Sequence, residues 1–139
     1  MECVPIGVVR SPYSTHEDAP RQGAWLEDTC TLQIEGRFKR ALVGLEAYAH
    51  VWVLFWTDRA ERDVVTSDRH RRWGEERGIL ASRSPARPNP IGLTVCELVS
   101  IEDRRVTVRG LEALDGTPIV DIKPYVPELD CPTDAAFGT

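Results

Sequence analysis

Residues 78–93 read G-I-L-A-S-R-S-P-A-R-P-N-P-I-G-L, with Pro85, Pro88 and Pro90 falling within six residues of one another. Each proline removes a backbone donor and restrains the residue before it, so no helix passes through this stretch. The chain there is extended or turning. It is not a linker, because apolar runs flank it: Gly78-Ile79-Leu80-Ala81 before it and residues 91–99 after it. A stiff, donor-poor loop held between two expected strands loses little conformational entropy when something binds. Arg83, Ser84, Arg87 and Asn89 are therefore well placed to meet a ligand. Two other uses fit the same residues: proline and arginine can shape the corner of a barrel, and Pro85-Ala86-Arg87-Pro88 matches a PxxP docking peptide.

With 139 residues, the chain is expected to form one domain, residues 1–139, around a single core. A hydrophobic fraction of 42% and four tryptophans speak for a folded chain. The longest apolar run, residues 51–56, is strand-sized, so no membrane span is expected. Met1-Glu2-Cys3-Val4-Pro5 lacks the basic region and long apolar stretch of a secretory signal, which makes the cytoplasm the expected compartment. Cys3, Cys30, Cys96 and Cys131 stand far apart, as do His16, His50 and His70; no metal is expected. Cys30 and Cys96 read as small buried residues on strands.

The net charge of −5 argues against broad, non-specific nucleic-acid binding, but the charge is unevenly distributed. Residues 59–90 carry eight arginines against five acids, a net +3 inside an acidic chain. Arg69, Arg71, Arg72, Arg77, Arg83 and Arg87, with Trp73 interleaved, suit phosphates and a stacked base. A solvated loop of mixed charge is the competing reading.

Strands are expected over residues 4–10, 29–34, 79–82, 91–102, 106–111 and 118–125, with Asp103-Arg104-Arg105 turning between two of them. Residues 48–57 (Y-A-H-V-W-V-L-F-W-T) are too apolar for a strand with one wet face, and read as buried on both faces or packed against a partner. His50 within it reads best as a satisfied core histidine, and Trp52, Phe55 and Trp56 as core or interface. Phe38, Leu42 and Leu45 have the spacing of a short helix. Residues 58–77 read as a long loop and residues 128–139 as a loosely held tail. The expected fold is all-β: a small antiparallel barrel of about seven strands with one short helix and a long loop.

Several segments together resemble the TrmO family of tRNA methyltransferases, the TsaA-like domains. They are Ile6-Gly7-Val8-Val9-Arg10-Ser11-Pro12-Tyr13, Pro20-Arg21-Gln22, Gly44-Leu45-Glu46 with His50-Val51-Trp52, and Arg83-Ser84-Pro85 with Arg87-Pro88-Asn89-Pro90-Ile91-Gly92. Asp115-Gly116-Thr117-Pro118 through Asp121-Ile122-Lys123-Pro124-Tyr125 completes the set, in the family's order. The resemblance implies a β-barrel methyltransferase that uses S-adenosylmethionine, works as a homodimer, and methylates N6 of threonylcarbamoyl-adenosine just 3′ of the tRNA anticodon. It also implies a short form, lacking the C-terminal domain of longer bacterial members.

On that resemblance Arg21, Gln22, Arg83, Ser84, Asn89, Asp115, Thr117 and Asp121 are assigned to cofactor binding. An arginine fork can clamp a carboxylate, and an aspartate can accept from a ribose diol or an amine. Arg69, Arg71, Arg72 and Arg87 are assigned to the tRNA substrate, and Asp121 and His50 are the candidate catalytic bases. Asp115-Gly116 is also an ordinary turn signal, and Asn89 can serve a donor-poor backbone. The alternative function is a non-catalytic barrel that binds S-adenosylmethionine or RNA.

Overall fold

The computed structural model of the protein describes residues 1–15, 17–19, 27–67 and 76–134. Among the described residues, eight strands run in chain order: β1 (Gly7–Arg10), β2 (Thr29–Ile34), β3 (His50–Trp56), β4 (Thr66–Ser67), β5 (Arg77–Gly78), β6 (Ile91–Glu102), β7 (Arg105–Arg109) and β8 (Pro118–Pro124). Six close into an antiparallel barrel in the order β1-β2-β7-β6-β3-β8, while β4 and β5 pair as a separate two-stranded sheet. The expected all-β barrel is what the chain forms.

Alternation makes the barrel. Val9, Cys30, Leu32, Ile34, Val51, Val53, Phe55, Cys96, Val106, Val108 and Ile119 fill its interior, each nearly or wholly buried. Strand residues point alternately to opposite faces, so one β-branched or aliphatic side chain in two packs inward. The register of β3 on β8 shifts between Leu54 and Phe55: Leu54 pairs with Asp121, but Phe55 pairs with Ile119. The extra residue, Val120, is a bulge that keeps both Ile119 and Ile122 facing inward beside Phe55 and Val53.

The two ends of the barrel are closed differently. At one end, a 3₁₀ helix (Gly36–Leu42) and a second short turn (Leu45–Ala47) pack Phe38, Leu42 and Leu45 against the core. These replace the single short helix expected there. At the other end, Tyr13 after β1 and Leu111, Ala113 and Leu114 after β7 plug the interior. The Tyr13 hydroxyl donates to Asp28 at 3.1 Å, and burial pushes its pKa up to about 12, with Asp28 adding to the shift.

Three further expectations are corrected. Residues 79–82 are not a strand: Ile79–Ala81 forms a 3₁₀ turn that closes when Ser82 N–H donates to the Ile79 carbonyl at 3.1 Å. Strand β3 is not buried on both faces. Val51, Val53 and Phe55 are buried, while Trp52, Leu54 and Trp56 are half-buried on the outer face. His50 is exposed rather than a core residue, its ring edge-on to Tyr125 at 6.3 Å. Its position on the outward-facing side of the strand, opposite Glu97, explains this. The loop over residues 58–77 contains β4 and the first residue of β5, and the tail begins with a one-turn helix, α1 (Pro127–Asp130). Cys30 and Cys96 are buried on strands as expected; their thiols are pushed up by burial, Cys30 to about 11.

Candidate functional site

The C-terminal end of β3 and the N-terminal end of β6 open onto a cavity of about 920 Å³. That is within the range of roughly 300–1,000 Å³ typical of small-molecule sites. Among the described residues it is walled by residues 52–59 at the end of β3, the proline loop with the start of β6, the 112–117 turn between β7 and β8, and Ala19 from the loop after β1.

Proline content explains how the loop holds its shape. With few N–H groups of its own, it is braced by side chains. The Arg87 guanidinium donates through Nη1 to the carbonyls of Ser82 at 2.9 Å and Ser84 at 3.2 Å. Arg62 Nε donates to the Pro88 carbonyl at 2.9 Å while its guanidinium lies 5.0 Å over the Trp56 ring. Thr57, immediately after β3, donates to the Pro90 carbonyl from both its N–H and its hydroxyl, each at 2.8 Å. The loop is thus fastened to the end of β3.

The 112–117 turn is fastened by Asp115 and Arg59. Asp115 Oδ1 accepts from the Ser11 N–H at 3.1 Å, and its own N–H donates to the Tyr13 carbonyl at 2.7 Å. Arg59 donates to the carbonyls of Ser14 at 2.8 Å and Asp115 at 3.0 Å, joining the β1 exit to this turn. Gly116 holds φ +84, a left-handed conformation that favours glycine, and lets the chain turn into β8.

Within the cavity the wall is apolar at Phe55, Ala113 and Leu114 and polar at Ser84, Asn89 and Thr117. Arg83 is exposed on its rim, with one long contact from Nη2 to the Leu93 carbonyl at 3.4 Å. Gly92 is needed where the Phe55 ring crosses β6: a Cβ there would collide with the ring. Glu112 has an unusual environment. Thr94, itself buried, donates its hydroxyl to Glu112 Oε1 at 2.6 Å, whereas Oε2 is sealed from water with no hydrogen-bond partner.

Of the residues singled out in the sequence, Arg83, Ser84, Arg87, Asn89 and Thr117 come together on this wall. Asp115 lies behind it, its carboxylate engaged by the Ser11 N–H. Asp121 stands on the outer face of β8, opposite Leu54, with Lys123 Nζ at 2.9 Å. His50 begins β3, at the other end of the strand from Thr57. Arg21, Gln22, Arg69, Arg71 and Arg72 lie outside the described residues. Sequence reasoning read Phe55 as core or interface, and it singled out neither Arg59 nor Glu112. For Glu112 a signal existed, an acid set within the apolar run Leu111, Ala113, Leu114. Among the described residues no cluster of three or more His, Cys, Asp or Glu side chains could hold a metal ion, and no helix is long and apolar enough to cross a membrane.

Residues 8–131 match the family described as tRNA-methyltransferase O N-terminal domain. The chain belongs to the TrmO family. Two solved TrmO structures superpose on it. One, at 36% identity and TM-score 0.85, aligns with 99% of this chain and 63% of its own. TrmO from Pseudomonas aeruginosa, at 35% identity and TM-score 0.79, aligns with 98% and 60%. An Archaeoglobus fulgidus relative named S-adenosyl-L-methionine-binding protein is 47% identical over 130 residues, 91% of each chain. The human tRNA (adenine(37)-N6)-methyltransferase is 34% identical over 137 residues, covering 92% of this chain and 31% of its own. This TrmO domain therefore spans nearly the full length of the archaeal relative, about three fifths of the solved structures and about a third of the human enzyme.

Proposed function

We propose that the chain is an S-adenosylmethionine-dependent tRNA methyltransferase. It acts as a homodimer in the cytoplasm on N6 of threonylcarbamoyl-adenosine beside the anticodon. One observation carries the reading: in a chain matching the TrmO family over residues 8–131, the resemblance-bearing residues Arg83, Ser84, Asn89 and Thr117 line one cavity.

The residues present fit the methyl donor. Its carboxylate suits Arg83, whose guanidinium keeps donors to offer at the rim. Its polar ribose and amino groups suit Ser84, Asn89 and Thr117, and its sulfonium and adenine suit the aromatic faces of Phe55 and Trp52. Bound there, it would supply an activated methyl group. The protein would supply alignment and a largely dry site. Arg87 would support substrate binding by holding the loop that the substrate meets; Arg21 and Gln22 keep their assignment to the donor, and Arg69, Arg71 and Arg72 theirs to the tRNA.

The dimer is supported by the outer face of the sheet. Trp52 and Leu54 on β3 pair with Val95 and Leu93 on β6, and Leu80, Ile91 and Leu93 are exposed. Such an apolar strip suits a second copy. Asp121 and His50 lie on this outward-facing side and are not among the residues lining the cavity, so a role for either in a methyl-donor pocket would come through a second copy.

A second reading has its own support, since the archaeal relative of matching length carries only a binding name. Mass spectrometry of tRNA nucleosides separates the two. The expected result is loss of the N6-methylated threonylcarbamoyl-adenosine in cells lacking the protein, restored by the wild-type chain. Unchanged tRNA, together with tight donor binding by calorimetry, would make it a binding module.

A further inference from the structure

We propose that Glu112 is the proton acceptor of methyl transfer, an inference that rests on the methyltransferase reading above. When a nitrogen bearing hydrogen is methylated, its N–H bond breaks and leaves the electron pair on nitrogen, and a new N–C bond forms. The donor's C–S bond breaks with its pair passing to sulfur, so the sulfonium leaves as a neutral thioether. One proton remains to be placed.

Among the described residues lining the cavity, the side chains that offer a carboxylate to take it are Asp58 and Glu112. The wall otherwise offers hydroxyls, an amide, apolar groups and arginines, which stay protonated. Asp58 is exposed, where water solvates its carboxylate. Glu112 is set between the buried Leu111 and Ala113. Its Oε1 is fixed by the Thr94 hydroxyl at 2.6 Å, and its Oε2 is buried from solvent with no protein donor.

A buried carboxylate oxygen left unpaired is costly. The cost is explained if the partner arrives with the substrate. The terminal torsion of a glutamate is soft, so the carboxylate can turn about its Thr94 anchor to present Oε2 to the cavity. Asp121 and His50, the bases expected from the sequence, lack this placement within one chain.

The test uses Glu112→Gln in the full chain, which keeps the shape and an acceptor for Thr94 but removes the base. Single-turnover methyl transfer to tRNA is expected to fall by about 100-fold or more. Donor affinity by calorimetry is expected to stay within about twofold, and the thermal midpoint to be no lower than that of wild type. Glu112→Asp, which keeps a displaced carboxylate, is expected to recover roughly tenfold of the loss. An unchanged rate in Glu112→Gln overturns the proposal. So does loss of donor binding, which would make Glu112 a cofactor ligand. If the glutamine variant is unfolded, Glu112→Asp decides: a slower rate with unchanged donor affinity supports the base, and an unchanged rate refutes it. A wild-type protein that binds no donor or leaves tRNA unmethylated would instead sink the functional reading itself.

Discussion

A methyl group added at Gly92 would enter the Phe55 ring, which lines the cavity from the neighbouring strand. Gly92→Ala is expected to turn that ring aside and lower stability by about 1–3 kcal/mol, the usual cost of overpacking. Urea unfolding measures the loss, and donor calorimetry should show weakened binding. Tyr13 gives a second prediction at this scale. Burial raises its pKa from the ordinary 10.0 to about 12, so folding favours the neutral phenol. Its contribution is fully present below pH 10.0 and is lost as the pH climbs towards 12. Thermal midpoints recorded across that window should fall, and Tyr13→Phe should flatten the decline. Arg83, Ser84, Asn89 and Thr117, which line one cavity, stood out in the sequence because unusual strings carry them. Glu112 did not, because a carboxylate's partner comes from β6, 18 residues away in sequence. Asp115 was legible as a turn residue for a local reason, the glycine that follows it.

The elements were read from alternation, and they agree where alternation is strong: β2 and β6 have the expected bounds, residues 29–34 and 91–102. Residues 79–82 failed the same test. Ile79 is buried but Leu80 beside it is 81% exposed, and a three-residue turn is too short for any period to show. The brace on the proline loop was also hidden, because it is made by side chains reaching carbonyls that no local pattern announces. Arg87→Ala removes both bonds to the Ser82 and Ser84 carbonyls. Amide exchange over residues 82–89 should speed up while the rest of the barrel stays protected, and donor affinity should fall by roughly tenfold, about 1.4 kcal/mol. Thr57→Val, which deletes one of two bonds to Pro90, should cost about 1 kcal/mol of stability.

At the scale of the whole molecule, barrel closure was legible from the number and shortness of the strands. The identity of the seam was not, because pairing β1 with β8 joins opposite ends of the chain. The outer strip of Trp52, Leu54, Leu93 and Val95 leads to a prediction about assembly. Sedimentation should show a dimer, and Leu93→Glu should convert it to a monomer that keeps its far-ultraviolet dichroism. A monomeric wild type would remove the homodimer from the proposed function.

The ring is not equally strong all the way round. Strand β3 is paired along its whole length with β6, from His50–Glu97 to Trp56–Ile91, whereas β1 meets β8 at Gly7–Ile119 and Val8–Pro118. Breathing motions should therefore begin where the first and last strands touch, like a bracelet parting at its clasp. The stretch that carries Phe55 and Gly92 would remain zipped while the clasp opens.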